Sequence, residues 1–326
     1  MRHKLPRSCR LFLTGVLCLL LAACSRPVLY NARPAGYEVR TVPKVTLRDP
    51  VQDREVILRM HYPVTPGPLP VVVYSHGAMC SPVNYDAVTR YWASRGYVVL
   101  APYHLDAMDN PRRMQPGDLP MLLSARVRDL SFVLDSLDQI EARAGLEGQL
   151  ERGRAAVAGH SFGGMIAMIK SGLHLKTGEY RYPGDSADPR FVAAAIMSGV
   201  GPMDQMADDA FDGLTRPLMA SGGTLDEGNI GSGEIFPWQW RMSAYSLAPP
   251  GDKYEVVLDR GDHYLGGLIC RPDRGGAPDA EGLGIVQAET TAFLDAYLRN
   301  DSAAQDYLRS ATLAEATGGR ASFAAK

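Results

Sequence analysis

Ser161 is the residue of this chain best placed to do covalent chemistry. It stands in Gly159-His160-Ser161-Phe162-Gly163-Gly164, where the apolar run Ala155-Ala156-Val157-Ala158 gives way to the helix-forming run Met165-Ile166-Ala167-Met168-Ile169. G-x-S-x-G at a strand-to-helix turn lifts the serine hydroxyl off the end of a sheet. The glycines are needed because a Cβ would clash in so sharp a turn. In a chain with 33 glycines the pattern alone is weak, and the flanking runs carry the reading. The ordinary alternative is a serine in a glycine-rich turn.

A serine hydroxyl is a poor nucleophile near neutral pH. It needs a base within hydrogen-bond reach, and the base needs an orienting carboxylate. His263 lies in a Gly-bearing loop directly after the strand-like run 254–258. Asp226 emerges from Ser221-Gly222-Gly223-Thr224-Leu225 after the apolar run 217–221. The order Ser, acid, His suits a G-x-S-x-G nucleophile. Asp204 and Glu227 are the rival carboxylates. Among the other histidines, His160 is the nucleophile's neighbour, His76 sits in the loop after an earlier strand, and His104 comes out of order. His61 and His174 have no strand-end context.

A tetrahedral intermediate also needs N–H donors for its oxygen anion. Phe162, directly after the nucleophile, supplies one at the start of a helix, whose N-terminal dipole favours negative charge. Ser75-His76-Gly77-Ala78 follows the run Val71-Val72-Val73-Tyr74, so the Ala78 N–H is the expected second donor. Met79 next to it, with Trp238 and Trp240 between acid and base, are candidate walls of a substrate pocket. Trp238, Trp240 and Phe236 are equally well read as core packing.

The elements that position these residues alternate between short β-rich runs and longer helical ones. Runs 39–47 and 55–62 read as an antiparallel pair at a sheet edge. Runs 71–74, 97–101, 191–197, 217–221 and 254–258 read as further strands, 254–258 being the last. Helices are expected over 83–94, over 121–141 with a stripe of Leu130, Val133, Leu134, Leu137 and Ile140, and over 281–297, with a tail after it. Residues 102–120 lack a period. Strands alternating with helices predict an α/β fold with a mostly parallel, doubly wound sheet flanked by helices. The polar, aperiodic insert 172–190 reads as a surface loop.

Residues 1–23 stand apart. Arg2, Lys4, Arg7 and Arg10 precede a short apolar stretch, 11–21, that ends in Leu21-Ala22-Ala23-Cys24. This resembles a bacterial lipoprotein signal peptide with its lipobox, which implies cleavage before Cys24 and a diacylglycerol on its thiol. Ser25 in the next position implies sorting to the outer membrane, facing the periplasm. On this reading residues 24–40 are a tether and 41–326 one catalytic domain, a size a single core can serve. The plain alternative is an ordinary secretory signal.

Net charge is −2, with no basic stripe, so nucleic acid is not an expected partner. Of five cysteines, Cys80 and Cys270 remain once Cys9, Cys18 and Cys24 are set aside. Both fall in loops at the expected active end of the sheet. In an oxidising periplasm they either pair or stay as two buried thiols. No Cys/His spacing resembles a metal site, and no cofactor is expected.

Taken together, Tyr74-Ser75-His76-Gly77-Ala78, Gly159-His160-Ser161-Phe162-Gly163-Gly164, Gly223-Thr224-Leu225-Asp226 and Gly261-Asp262-His263 resemble the dienelactone hydrolase-like branch of the α/β-hydrolases. Within it they are most similar to cutinase-like polyester hydrolases and platelet-activating-factor acetylhydrolases. The resemblance covers roughly residues 40 to 300 and implies hydrolysis of a small-molecule or lipid-like carboxylic ester through an acyl-enzyme. It departs from dienelactone hydrolases proper in having Ser161 where they have cysteine. It departs from polyester hydrolases in having Ala78 where they carry an aromatic. A peptidase, an acyltransferase and a non-catalytic binding lipoprotein share the same scaffold and remain open.

Overall fold

The computed structural model describes residues 27–31, 36–176, 178, 186–229, 233–274 and 276–326. The expected signal peptide, Cys24 and residues 177 and 179–185 of the 172–190 insert lie outside these residues.

The strands are β1 (Val39–Asp49), β2 (Arg54–Pro63), β3 (Leu69–Ser75), β4 (Val98–Tyr103), β5 (Leu150–His160), β6 (Phe191–Met197), β7 (Leu218–Gly223), β8 (Gly228–Asn229), β9 (Ile235–Phe236), β10 (Lys253–Leu258) and β11 (Ala321–Ala325). Nine of them form one sheet in the order β1-β2-β4-β3-β5-β6-β7-β10-β11, and β8 and β9 pair separately. From β4 through β10 the neighbours run parallel. β1, β2 and β11 join by antiparallel pairing. β1 is bulged between Val42 and Val45, at Pro43 and Lys44. β1 already begins at Val39, so the folded region starts inside the expected tether. Tyr30 also lies on the fold, its hydroxyl bonded to Asp295 at 2.8 Å.

The dense β-branched runs explain the layering. In a strand successive side chains point to opposite faces, so a run buried throughout needs cover on both sides. Val71 and Val73 enter one core cluster, together with Met165, Ile166 and Ile169 of α4 (Phe162–Ser171) and Leu130 and Val133 of α2 (Leu122–Asp135). Val72 and Tyr74 enter the other, together with Val88 and Trp92 of α1 (Asp86–Ser94) and Phe293 of α6 (Ala280–Leu298). The fold is therefore a mostly parallel sheet with helices on both faces, as the alternation predicts.

Two expectations are corrected. The stripe over 121–141 is two helices, α2 and α3 (Leu137–Ala144), broken at Ser136, whose φ of −109° and ψ of 12° leave the helical region. The apolar stripe runs through the break because a one-residue kink hardly alters its spacing. The run 254–258 is also not the last strand. After α6 the chain forms α7 (Ser302–Ser310) and α8 (Leu313–Ala316), then returns as β11 to cover the β10 edge. Its Ala-rich sequence carries little period. The small helix α5 (Ser243–Ser246) completes the set.

A buried acid on α6 gives the fold a pH dependence. Glu289 is 1% exposed and accepts a hydrogen bond from Tyr307 of α7. Burial pushes its carboxyl up to about 7, against the opposing pull of the Tyr307 hydroxyl. The folded value lies above the unfolded one. Its contribution to stability is therefore full below the ordinary carboxyl range and is lost as pH rises through about 7. Glu289→Gln keeps the acceptor without the charge. It is expected to raise the unfolding free energy at pH 8 by about 1–3 kcal/mol, and by much less at pH 5. Urea unfolding at the two pH values checks this. An equal effect at both would mean that the carboxyl does not change charge over this range.

Candidate active site

The carboxyl ends of the parallel strands bring the expected residues together. Ser161 follows β5, with φ 55° and ψ −120°, a backbone that L-residues rarely adopt. Close packing requires the glycines around it. A Cβ on Gly159 would lie 2.2 Å from the Gly163 carbonyl oxygen, and one on Gly163 would lie 2.0 Å from that of Ser75. The second contact seats the start of α4 directly against the end of β3.

His263 lies 3.1 Å from the Ser161 hydroxyl through Nε2 and 2.8 Å from Asp226 Oδ1 through Nδ1. Burial raises the Asp226 carboxyl, but His263 and Arg241 together bring it below the usual carboxylate range. An ionised Asp226 only accepts, so Nδ1 carries the imidazole proton and Nε2 is free to accept from Ser161. The acid and base loops are joined through their backbones. Leu225 donates its N–H to the Gly261 carbonyl at 3.0 Å, and a Cβ on Gly223 would lie 2.2 Å from that same oxygen. Asp204 and Glu227 are both exposed, and no contact between either and His263 is seen among the described residues.

The other histidines have different work. His160 is fully buried and held neutral, first by burial and then by His263. Its Nε2 faces the His263 carbonyl at 2.9 Å and must donate, so Nδ1 accepts from the Tyr85 hydroxyl at 2.8 Å. Tyr85 in turn accepts the Gly77 N–H at 3.0 Å. This relay connects the loop after β3 to the loop carrying His263. His104 reproduces the contacts of a nucleophile's base: Ser75 Oγ is 2.9 Å from Nε2 and Asp129 Oδ2 is 2.8 Å from Nδ1. All three are sealed from solvent, so this trio is a structural network that no substrate reaches. His61 bonds Thr41 and Asp86, and His174 pairs with Asp209 on the surface.

Ala78 and Phe162 are the two expected oxyanion donors. Among the described residues neither N–H has a hydrogen-bond acceptor within the chain. Cys80 and Cys270 form a disulfide, so of the two readings the structure has the pair, and it ties the Ala78 loop to the segment beyond His263. Met79 is half exposed beside Ala78. Trp240, by contrast, is only 8% exposed. It stacks on Phe236 and donates its indole N–H to the Pro202 carbonyl at 3.3 Å. Its flat apolar ring is core packing behind the acid loop rather than a cleft wall, and Trp238 packs partly buried against the same core. An open cavity of about 690 Å³ lies next to Met203, Phe211 and Phe236, away from Ser161. Among the described residues no group of His, Cys, Asp and Glu is arranged to hold a metal ion.

Sequence reasoning missed Arg241 and Arg126. Arg241 is buried, with Nε 3.1 Å from Asp226 Oδ1 and its other nitrogens on the Gly199 and Glu227 carbonyls. The only sequence signal for it was its place between acid and base. Arg126 on α2 carried none.

The chlorophyllase family model matches residues 36–181. The match runs from the start of β1 through α4, taking in the Ala78 loop and Ser161 and stopping short of Asp226 and His263. The chain has the α/β-hydrolase fold. The chlorophyllase match carries the further implication of an ester hydrolase on that fold. No curated protein matches the chain.

Proposed function

We propose that this α/β-hydrolase is a serine esterase of the cell envelope, cleaving carboxylic esters through an acyl-enzyme on Ser161. One observation carries the reading: the hydrogen-bonded series Asp226, His263, Ser161, ending on a nucleophile with positive φ. Ser161 Oγ adds to the ester carbonyl carbon as its proton passes to His263 Nε2. Asp226 stabilises the imidazolium through Nδ1–H. The carbonyl oxygen becomes an oxyanion and is received by the Ala78 and Phe162 N–H groups. Collapse expels the alcohol, which takes its proton from His263 and leaves the acyl group on Ser161. Water then repeats the addition with His263 as base, freeing the acid and restoring the serine. The similarity to chlorophyllases supports an ester as substrate. The lipobox-like Leu21-Ala22-Ala23-Cys24 supports a lipid anchor on Cys24.

A p-nitrophenyl ester series from acetyl to palmitoyl tests the chemistry on protein lacking residues 1–24. Turnover is expected, with a loss of about 10⁴-fold or more in kcat for Ser161→Ala. Folded protein that cleaves none of the esters would favour a peptidase, an acyltransferase or a binding protein. In a bacterial host the full chain should bring this activity to the membrane fraction. A Cys24→Ser chain that stays there would remove the anchor.

A further inference from the structure

The loop between β3 and the disulfide is held by a buried cation that the mechanism above does not use. Arg126 of α2 and Asp106, just beyond β4, are both sealed from solvent. They pair through Nε at 2.8 Å and Nη2 at 2.6 Å. Arg126 Nη1 also donates to the His76 carbonyl at 2.6 Å, and Nη2 to the Gly77 carbonyl at 3.2 Å. Asp106 Oδ2 accepts the Met79 N–H at 2.9 Å. His76 adds a further bond. Its Nε2 accepts the His104 N–H at 3.3 Å, so its Nδ1 carries the proton and donates to the Gly77 carbonyl at 2.8 Å. With the Gly77 N–H on Tyr85, the groups flanking the Ala78 N–H are engaged and that one is left open.

We propose that Arg126 is a positioning residue for the oxyanion site, acting on both of its donors. The inference rests on the esterase reading above. The Gly77 carbonyl and the Ala78 N–H belong to one planar peptide unit, so fixing the oxygen fixes the direction of the N–H. A guanidinium on that oxygen also draws density toward it and makes the Ala78 N–H a stronger donor. The same guanidinium lies 4.6 Å from the centre of the Phe162 ring, the side chain of the second donor residue. Arginine suits this position because its planar fork serves the carboxylate and two carbonyls at once. Lysine keeps the charge but, as a single point donor, cannot hold all of these partners in one geometry.

The test compares wild type, Arg126→Lys and Ser161→Ala with the p-nitrophenyl ester that wild type turns over best. It also measures calorimetric binding of phenylboronic acid. The boronic acid adds Ser161 Oγ to boron, passes the serine proton to His263 and places a boron-bound oxygen in the oxyanion site. For Arg126→Lys we expect kcat to fall about 10- to 100-fold, KM to move less than about 3-fold and boronate affinity to weaken by the same factor as kcat. Asp106→Asn retains an acceptor for Met79 and the arginine itself, and should show a smaller loss of the same kind. It stands in if the lysine variant does not fold. Folded variants with wild-type boronate affinity would overturn the assignment. So would a kcat loss matched only by fewer titratable active sites. Wild type that binds boronate through Ser161 but cleaves no ester would count against the substrate reading alone, because the boronate comparison would still report on Arg126.

Discussion

Asp226→Asn is expected to lower kcat for ester cleavage by roughly 10³–10⁴-fold, with little change in KM. The amide is nearly isosteric but offers His263 no charge and can present an N–H where the imidazole needs an acceptor. The imidazole would then turn its protonated nitrogen toward Ser161 and lose its function as a base. Asp226 serves a second partner, since Arg241 approaches the same oxygen at 3.1 Å in a buried setting. Neutralising the carboxylate leaves that guanidinium without its counter-charge, and an unfolding free energy lower by about 3 kcal/mol is expected. Ester kinetics together with urea unfolding separate the two effects. A variant retaining kcat within about 10-fold of wild type would show that Asp226 does not orient the base.

Replacing Cys80 and Cys270 together by serine is expected to have the largest effect on stability. The bridge spans 190 residues of sequence. By loop-closure entropy, a constraint of that length lowers the unfolded chain's freedom by about 5 kcal/mol at 25 °C. In a chain of this size that corresponds to a fall in Tm of roughly 8 °C. Thermal unfolding of the double variant against wild type, with and without reductant, is the measurement. Reductant should move wild type toward the variant and leave the variant unchanged. A Tm unaltered in both comparisons would show that the bridge adds nothing to stability. The bridge also joins the loop carrying Ala78 to the segment after His263, so activity should decline before global unfolding as the reduced protein is warmed.

Much of this site was legible because its chemistry follows chain order. A nucleophile in a glycine-bounded turn, an acid after one strand and a histidine after another are local signals, and Ser161, Asp226 and His263 meet as those signals require. The parallel strands were equally legible, because a run such as Val71-Val72-Val73 has no polar face to turn to water. What escaped was non-local. Arg126 and Asp106 carry no local signal and gain meaning only when folding seals them against each other, as Arg241 does only beside Asp226. The Ser75, His104, Asp129 trio shows the reverse problem. Its residue types and contact distances imitate a catalytic set, and only its burial rules it out. The C-terminal strand was missed because Ala321–Ala325 is short and apolar in no clear rhythm, so it is defined by the β10 edge it covers.

The two borders of the sheet have a consequence for how the protein behaves in a crowd of its own copies. A long, regular border strand invites another sheet to continue it. Here the β1 border is interrupted at Pro43 and Lys44 and carries Arg40 and Arg48 nearby. Proline has no N–H to offer a neighbour, and the bulge breaks the even spacing that a partner strand would need. The opposite border, β11, is only five residues long. Neither margin presents a long, regular template, which disfavours growth of the sheet by edge-to-edge stacking.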